Sequence, residues 1–151
     1  MEINLVLHLP RDVTSVPVSR QVLDGCLATL GVTPDTRADI ALALSEACAN
    51  VVQHAGRDEE YQVQVSAGDG RCVIEVVNTG SGAGEARIAL DGEPVPPTAE
   101  HGRGLKIINA VMDNLQLTGN GRQGTTVHFE KKLDWLPGAA GRHLFHANGD
   151  S

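Results

Sequence analysis

Aromatic side chains are scarce in this chain: one Trp, one Tyr and two Phe among 151 residues. Any core must therefore be assembled from Val, Leu, Ile and Ala, and the spacing of those residues carries most of the structural information. Basic clusters are missing too. The formal charge is −7, from 12 Lys and Arg against 19 Asp and Glu, which argues against nucleic acid or an anionic membrane as the main partner. No apolar run is long enough to span a bilayer, and Met1-Glu2-Ile3-Asn4 lacks the basic-then-apolar order of a leader. Cysteine is limited to Cys26, Cys48 and Cys72, an odd number without metal spacing and in apolar surroundings. They read as small core residues in a reduced, cytoplasmic compartment.

What is present is an ordinary globular composition, 41% hydrophobic and 21% charged, at a length that suits one domain with a real core. Ile3 to Leu9 alternates as a strand with Ile3, Leu5 and Leu7 on one face, and Pro10 ends it. A helix begins near Thr14 or Ser15, whose hydroxyls can cap it, and carries Val18, Val22, Leu23, Cys26, Leu27 and Leu30 until Gly31 stops it. Thr33-Pro34-Asp35 opens a second helix, through Ile40, Leu44, Ala47 and Val51 to about Ala55. Strands Tyr61–Ser66 and Cys72–Val77 make a hairpin around Gly68-Asp69-Gly70, the second apolar enough to lie centrally. A helix through Ile107, Ile108, Val111, Met112 and Leu115 follows, then a hairpin of Leu115–Thr118 and Thr125–Glu130. Beyond Leu133 periodicity is lost, which leaves 134–151 as a tail in which Trp135 is the residue suited to docking. This order predicts an α+β fold: a two-layer sandwich with a mixed, mainly antiparallel sheet and helices on one face.

Against that apolar background the second helix carries Glu46 and Asn50 where hydrophobic residues would be expected. Four apart, they share a face, and the small Ala49 and Ala55 leave it uncrowded. Two explanations fit the pair. One is an intrahelical hydrogen bond at a solvated edge. The other is a carbonyl oxygen for a hard cation such as Mg2+, beside a carboxylate that orients or deprotonates a nucleophile.

Asn78-Thr79-Gly80-Ser81-Gly82-Ala83-Gly84 follows a strand with glycines at alternate positions. It is either a turn or a backbone that a ligand can approach closely. No Gly-Lys-Ser/Thr follows, so it is not a Walker P-loop, and no helix pattern begins directly after it, so it is not a dinucleotide fingerprint. Residues 85–101 are loop-like, with Pro94, Pro96 and Pro97, and form either a cover over a ligand or a surface excursion. His101-Gly102-Arg103-Gly104-Leu105-Lys106 then leads into a helix. That start is simply flexible, or its free amides, with Arg103 or Lys106 nearby, cradle a polyphosphate.

Taken together these segments resemble the GHKL (Bergerat-fold) ATP-binding superfamily, and within it the anti-sigma-factor serine-kinase branch. Residues 44–55, Leu-Ser-Glu-Ala-Cys-Ala-Asn-Val-Val-Gln-His-Ala, resemble that branch's N box. Asn78-x-Gly80-x-Gly82 stands where its first glycine box would be, Gly102-Arg103-Gly104-Leu105 where the second would be, and Gly124-Thr125 where the closing Gly-Thr would be. The similarity covers roughly residues 1–132, with the boxes in order over a compatible strand and helix pattern. It implies an ATP-binding domain over 1–133 with 85–101 as the ATP lid.

By position, the resemblance implies that Asn50 holds Mg2+ and that Glu46 is the general base on a hydroxyl nucleophile. Gly102, Arg103, Gly104 and Leu105 would wrap the phosphates, and Thr125 would support the adenine end beside Asn78, with Gly80 and Gly82 in the same box. It further implies a cytoplasmic bacterial regulator that sequesters a sigma factor. With ATP and Mg2+ bound it would phosphorylate a Ser or Thr of an anti-anti-sigma partner of the STAS type, and relatives often pair as homodimers. The detached catalytic domain of a histidine kinase fits less well, because no phospho-accepting histidine helix precedes the N box.

The departures from the family pattern matter. The first glycine box normally opens with Asp, whose carboxylate accepts from the adenine amine; here Asn78 can still accept, without charge assistance. That loss is about 1–2 kcal/mol, or about ten- to thirtyfold in ATP affinity. Gln53 stands where relatives often place a basic residue, and Arg87 is the only base of the lid region before Arg103. The alternative expectation is therefore a binding-only partner switch that has lost useful ATP turnover.

Overall fold

The computed structural model describes residues 2–54, 60–78, 100–120 and 124–141. In chain order the elements are β1 (Glu2–Pro10), α1 (Ser15–Leu30), α2 (Pro34–His54), β2 (Glu60–Gly68), β3 (Arg71–Asn78), α3 (Glu100–Val111), β4 (Asn114–Asn120) and β5 (Gly124–Lys132). The strands form one sheet in the order β1-β2-β3-β5-β4, antiparallel at all four pairings. The α+β two-layer sandwich expected from the strand and helix order is thus present.

Alternation explains which face is covered. On β2 and β3 the buried positions are Tyr61, Val63, Val65 and Ala67, then Cys72, Ile74, Val76 and Asn78, and Val127 and Phe129 continue the row on β5. Apart from Asn78, these residues meet Leu44, Ala47, Cys48 and Val51 of α2, with Leu23 and Leu27 of α1 and Ile108 of α3, in a single core. A period of two on the strands meets a period of 3.6 on the helices, and only one sheet face is apolar enough to hold a layer. β3 lies in the middle of the sheet, as its apolar run requires. The β2–β3 hairpin closes through Asp69 and Gly70, both at positive φ (55° and 75°), the backbone that matches the twist of the strands it joins.

The caps differ in part from expectation. Thr14 stands at the start of α1 in a helical conformation and makes no side-chain cap. Asp12 does that work: its Oδ1 accepts from the Thr14 amide at 3.0 Å, while Ser15 Oγ donates to the Asp12 carbonyl at 2.7 Å. At the far end Gly31 takes φ 91° and its amide bonds back to Leu27 and Ala28, the left-handed cap that glycine allows. Thr33 Oγ1 accepts from the Thr36 amide at 3.4 Å, as its place before Pro34 suggested. Cys48 and Cys72 are buried as expected, but Cys26 is exposed on α1. α3 ends at Val111, so Leu115 belongs to β4 alone and pairs with Phe129.

After β5 the chain folds back over the α1–α2 turn. The Thr33 amide bonds to the Asp134 carbonyl at 2.9 Å and the Leu136 amide to the Gly31 carbonyl at 2.8 Å, with Trp135 paired to Val32. Trp135 packs on the core, and Ala139 is buried against Gly31.

Candidate functional site

α2 divides its faces between the sheet and α3. Leu44, Ala47 and Val51 face the sheet, while Glu46, Ala49, Asn50 and Gln53, one turn apart in pairs, turn toward α3. There they meet Arg103, Gly104 and Ile107 around a cavity of about 260 Å³. Five of the residues singled out from the sequence, Glu46, Asn50, Gln53, Arg103 and Gly104, therefore line one cavity.

Gly104 earns its place sterically. A Cβ built there would lie 3.3 Å from Glu46 Oε2, so the missing side chain lets α3 come close to the carboxylate without displacing it. Gly102 and Gly104 were expected to precede the helix, but α3 already begins at Glu100, so both lie within it. Gly104 is its fifth residue, beyond the four whose amides a helix leaves unpaired. It acts through close packing. Arg103 is exposed at the cavity, and Leu105 packs on the core and does not line it.

Asn50 is 8% exposed, and its Oδ1 is buried with no hydrogen-bond partner among the described residues. An orphaned carbonyl oxygen is costly unless something binds it, and it is the donor type that a hard cation prefers. The described residues contain no group of three or more His, Cys, Asp or Glu able to hold a metal. Mg2+ would suit such an oxygen, since it is bound through one or two protein oxygens with the rest of its shell supplied from outside the protein.

A second polar group lies at the end of β3. Asn78 is 1% exposed and sits opposite Thr125 on β5 and Tyr61 on β2. Thr125 Oγ1 is buried without a partner among the described residues. Asn78 Oδ1 accepts a hydrogen bond from Nη2 of Arg11, a buried arginine in the β1–α1 connection. Tyr61 Oη and Ser15 Oγ lie 2.7 Å apart, and Ser19 Oγ is 3.5 Å from Cys48 Sγ. Burial pushes the Tyr61 phenol and the Cys48 thiol well above their ordinary pKa values, so both stay neutral at pH 7.

Neither Asn78 nor Thr125 lines the cavity beside α3, so the site residues fall into two groups. Gly80, Gly82, Arg87 and residues 85–99 of the expected lid lie outside the described residues. Sequence reasoning missed Ile107 as a lining residue and Arg11 altogether. Ile107 had only its helical spacing to mark it, and a single arginine between a strand and a helix carries no signal.

The chain matches the histidine kinase-like ATPase domain family over residues 9–131. It is 30% identical over 137 residues to a Bacillus velezensis protein named serine-protein kinase RsbW, covering 85% of this chain and 84% of that one. The Bacillus mycoides protein of the same name is 28% identical over 135 residues, covering 84% and 83%. A crystal structure of the RsbU and RsbW domains of a Mycobacterium tuberculosis protein superposes with a TM-score of 0.65 at 22% identity, over 87% of this chain and 32% of that one. The SiaB–SiaC complex from Pseudomonas aeruginosa contains a chain that superposes with a TM-score of 0.56 at 16% identity, covering 86% and 88%. No helix among the described residues is long and apolar enough to cross a membrane. With a matching span of 9–131, similar relatives over most of their length and a cavity between two helices of an α+β sandwich, this chain belongs to the histidine kinase-like ATPase domain family.

Proposed function

We propose that this chain is a protein serine/threonine kinase of the partner-switching kind. It takes a Mg2+-bound purine nucleoside triphosphate, ATP by the family's description, and transfers the γ-phosphoryl group to a Ser or Thr of an anti-anti-sigma partner. In its other state it sequesters a sigma factor. The observation that carries this reading is the buried, unpartnered Asn50 Oδ1 in a cavity it shares with Glu46 and Arg103. The similarity to proteins named serine-protein kinase supports the choice of acceptor.

In the transfer, the partner's hydroxyl oxygen forms a bond to the γ-phosphorus while the bond to the bridging oxygen breaks and the nucleoside diphosphate leaves. Glu46 accepts the hydroxyl proton. Arg103, exposed at the same cavity, offsets charge on the transferring group, and Asn50 contributes its oxygen to Mg2+, which neutralises phosphate charge when bound. Gly102 and Gly104 shape the phosphate end, and Leu105 anchors their helix to the core. Asn78, with Gly80, Gly82 and Thr125, receives the base. Such a site works by positioning and charge balance, which needs few residues but holds each to a close geometry.

One observation favours a second reading, a binding-only switch: the Asn78 carboxamide oxygen is already engaged by Arg11. Incubation with γ-labelled nucleotide and the partner separates the two. Label passing to the partner, and stopped by Glu46→Ala, is the kinase result. Tight partner binding without nucleotide binding overturns it in favour of the switch. The net charge of −7, with no basic cluster, supports protein partners over nucleic acid.

A further inference from the structure

Lys131 stands where the alternation of β5 calls for an apolar residue. It lies on the row that faces the helices, between Phe129 and Leu133, both buried in the core. Its ammonium turns to the helices: Nζ donates to the carbonyl of Val111, the last residue of α3, at 2.8 Å and lies 3.3 Å from Oδ2 of Asp39 on α2, with the side chain 18% exposed. α3 has no basic residue in its own last turn, so this strand cation serves the negative end of that helix. At the other end the two helices meet where Gly104 packs on Glu46. Asp39 and Glu46 are seven residues apart on α2, and Gly104 and Val111 are seven apart on α3. The helices therefore run antiparallel, with their two junctions spaced equally at about 10 Å along each axis. One junction is a contact made possible by a missing side chain, and the other is a bridge made by Lys131.

We propose that Lys131 is a positioning residue for the nucleotide cavity. It fixes the gap between α2 and α3, and with it the separation of Glu46 and Asn50 on one wall from Arg103 on the other. The proposal rests on the reading above, in which a Mg2+-bound nucleotide occupies that cavity. With Lys131 in place α3 is held at both ends, against rotation about the Gly104 contact and against sliding along α2. Without it the far end of α3 is free to pivot on Gly104, and a nucleotide has to restore the gap at the expense of its own binding energy. An apolar side chain of similar length would fill the space beneath the helices as well. It could not bond to both of them.

Calorimetric titration of the full chain with Mg-ATP tests this. Lys131→Met keeps the apolar stem and removes both bonds, and it is expected to weaken Mg-ATP about tenfold, the worth of one charge-assisted contact. Lys131→Arg keeps a cation with donors for both oxygens and should bind close to the unaltered chain. Asp39→Ala cuts the bridge at its more exposed end and should weaken binding about threefold, so it carries the test should Lys131→Met fail to fold. Gly31→Ala, destabilised at the α1–α2 turn, should bind as the unaltered chain does, which separates positioning from a general loss of stability. A double-variant cycle adds a readout that a merely structural lysine would not move. Sites about 10 Å apart with no shared partner act independently, so their losses multiply. Here Gly104→Ala presses on Glu46, and an α3 released at its far end can give way instead, so Lys131→Met with Gly104→Ala should lose less than the product of the single losses. Mg-ATP bound as tightly by Lys131→Met as by the unaltered chain, or by Asp39→Ala where Lys131→Met is unfolded, overturns the proposal. So does an equal loss in Gly31→Ala, or single losses that multiply. If any of these occurs while Asn50→Ala still weakens Mg-ATP, the nucleotide site stands and only the positioning falls. No binding of Mg-ATP by the unaltered chain, or binding indifferent to Asn50→Ala, overturns the site and the positioning together.

Discussion

Gly104 and Asn50 show how single residues can be chosen for the site at the expense of the scaffold. A Cβ at position 104 would meet Glu46 Oε2 at 3.3 Å, so Gly104→Ala obliges the carboxylate to move by a few tenths of an ångström. Alanine is better than glycine inside a helix by about 1 kcal/mol, so the variant should melt no lower than the parent. Phosphoryl transfer should nevertheless fall about tenfold, since small displacements of a positioned group are expensive in rate. Single-turnover transfer and a thermal melt on the same sample check both halves; parallel losses would mean a folding defect instead. Asn50→Ala makes the complementary case. It removes a buried oxygen without a partner, an atom that costs about 1–3 kcal/mol to leave unpaired, so stability should hold or rise. Mg2+-dependent nucleotide binding should drop by about tenfold or more in titration. Stability lost together with unchanged binding would count against the role given to that oxygen.

Elements meet at two junctions, and only one was legible beforehand. The α2 face was readable because Glu46 and Asn50 interrupt an apolar period, and polar residues at such positions stand out in any helical reading. The strands were readable from alternation, down to the central place of β3. The start of α3 was not, because two glycines read as a break; contact with Glu46 accounts for the glycine at 104. Arg11 was invisible, since its partner Asn78 lies 67 residues away and no local pattern encodes that distance. The segment after β5 was equally opaque: without periodicity it gave no sign that Ala139 and Gly141 would be buried on the α1–α2 turn. Its packing makes a prediction. Gly31 has φ 91°, and a Cβ there would lie 2.4 Å from Ala139 Cβ, so Gly31→Ala combines backbone strain with a clash. A loss of about 2 kcal/mol or more is expected in urea unfolding. Adding Ala139→Gly should restore the part due to the Cβ clash and leave the parts due to φ and to the Ala139 Cα, 2.9 Å away, and a double variant no better than the single one would deny the contact.

Among the described residues one layer of helices covers one sheet face, and the opposite, partly exposed face carries the charges that tune stability with pH. His128 on β5 places Nε2 2.8 Å from Glu130 and Nδ1 3.2 Å from Glu75, the latter directly across the pair on β3, while Arg71 lies 3.0 Å from Glu130. Partial burial disfavours the charged imidazole, but hydrogen bonds and attraction from both carboxylates outweigh it and hold the His128 pKa above its ordinary 6.5. Glu130 is held below its ordinary 4.5, first by the hydrogen bond to His128 and further by those to Arg71 and Asn114. The raised histidine binds its proton more tightly folded than unfolded, so its contribution is complete below pH 6.5 and is lost as pH climbs through the raised value. The depressed glutamate contributes above pH 4.5 and loses that contribution as pH falls through its lowered value. Stability from this cluster therefore peaks between the two limits. Because all these groups are partly exposed, the alkaline loss should be modest, about 0.5–1 kcal/mol. Urea midpoints measured from pH 4 to 9 on the parent and on His128→Gln isolate the effect from the general repulsion of an acidic chain. The parent should lose stability above pH 6.5 relative to the variant, and curves that stay parallel across that range would show that the imidazole carries no charge-dependent share of the fold.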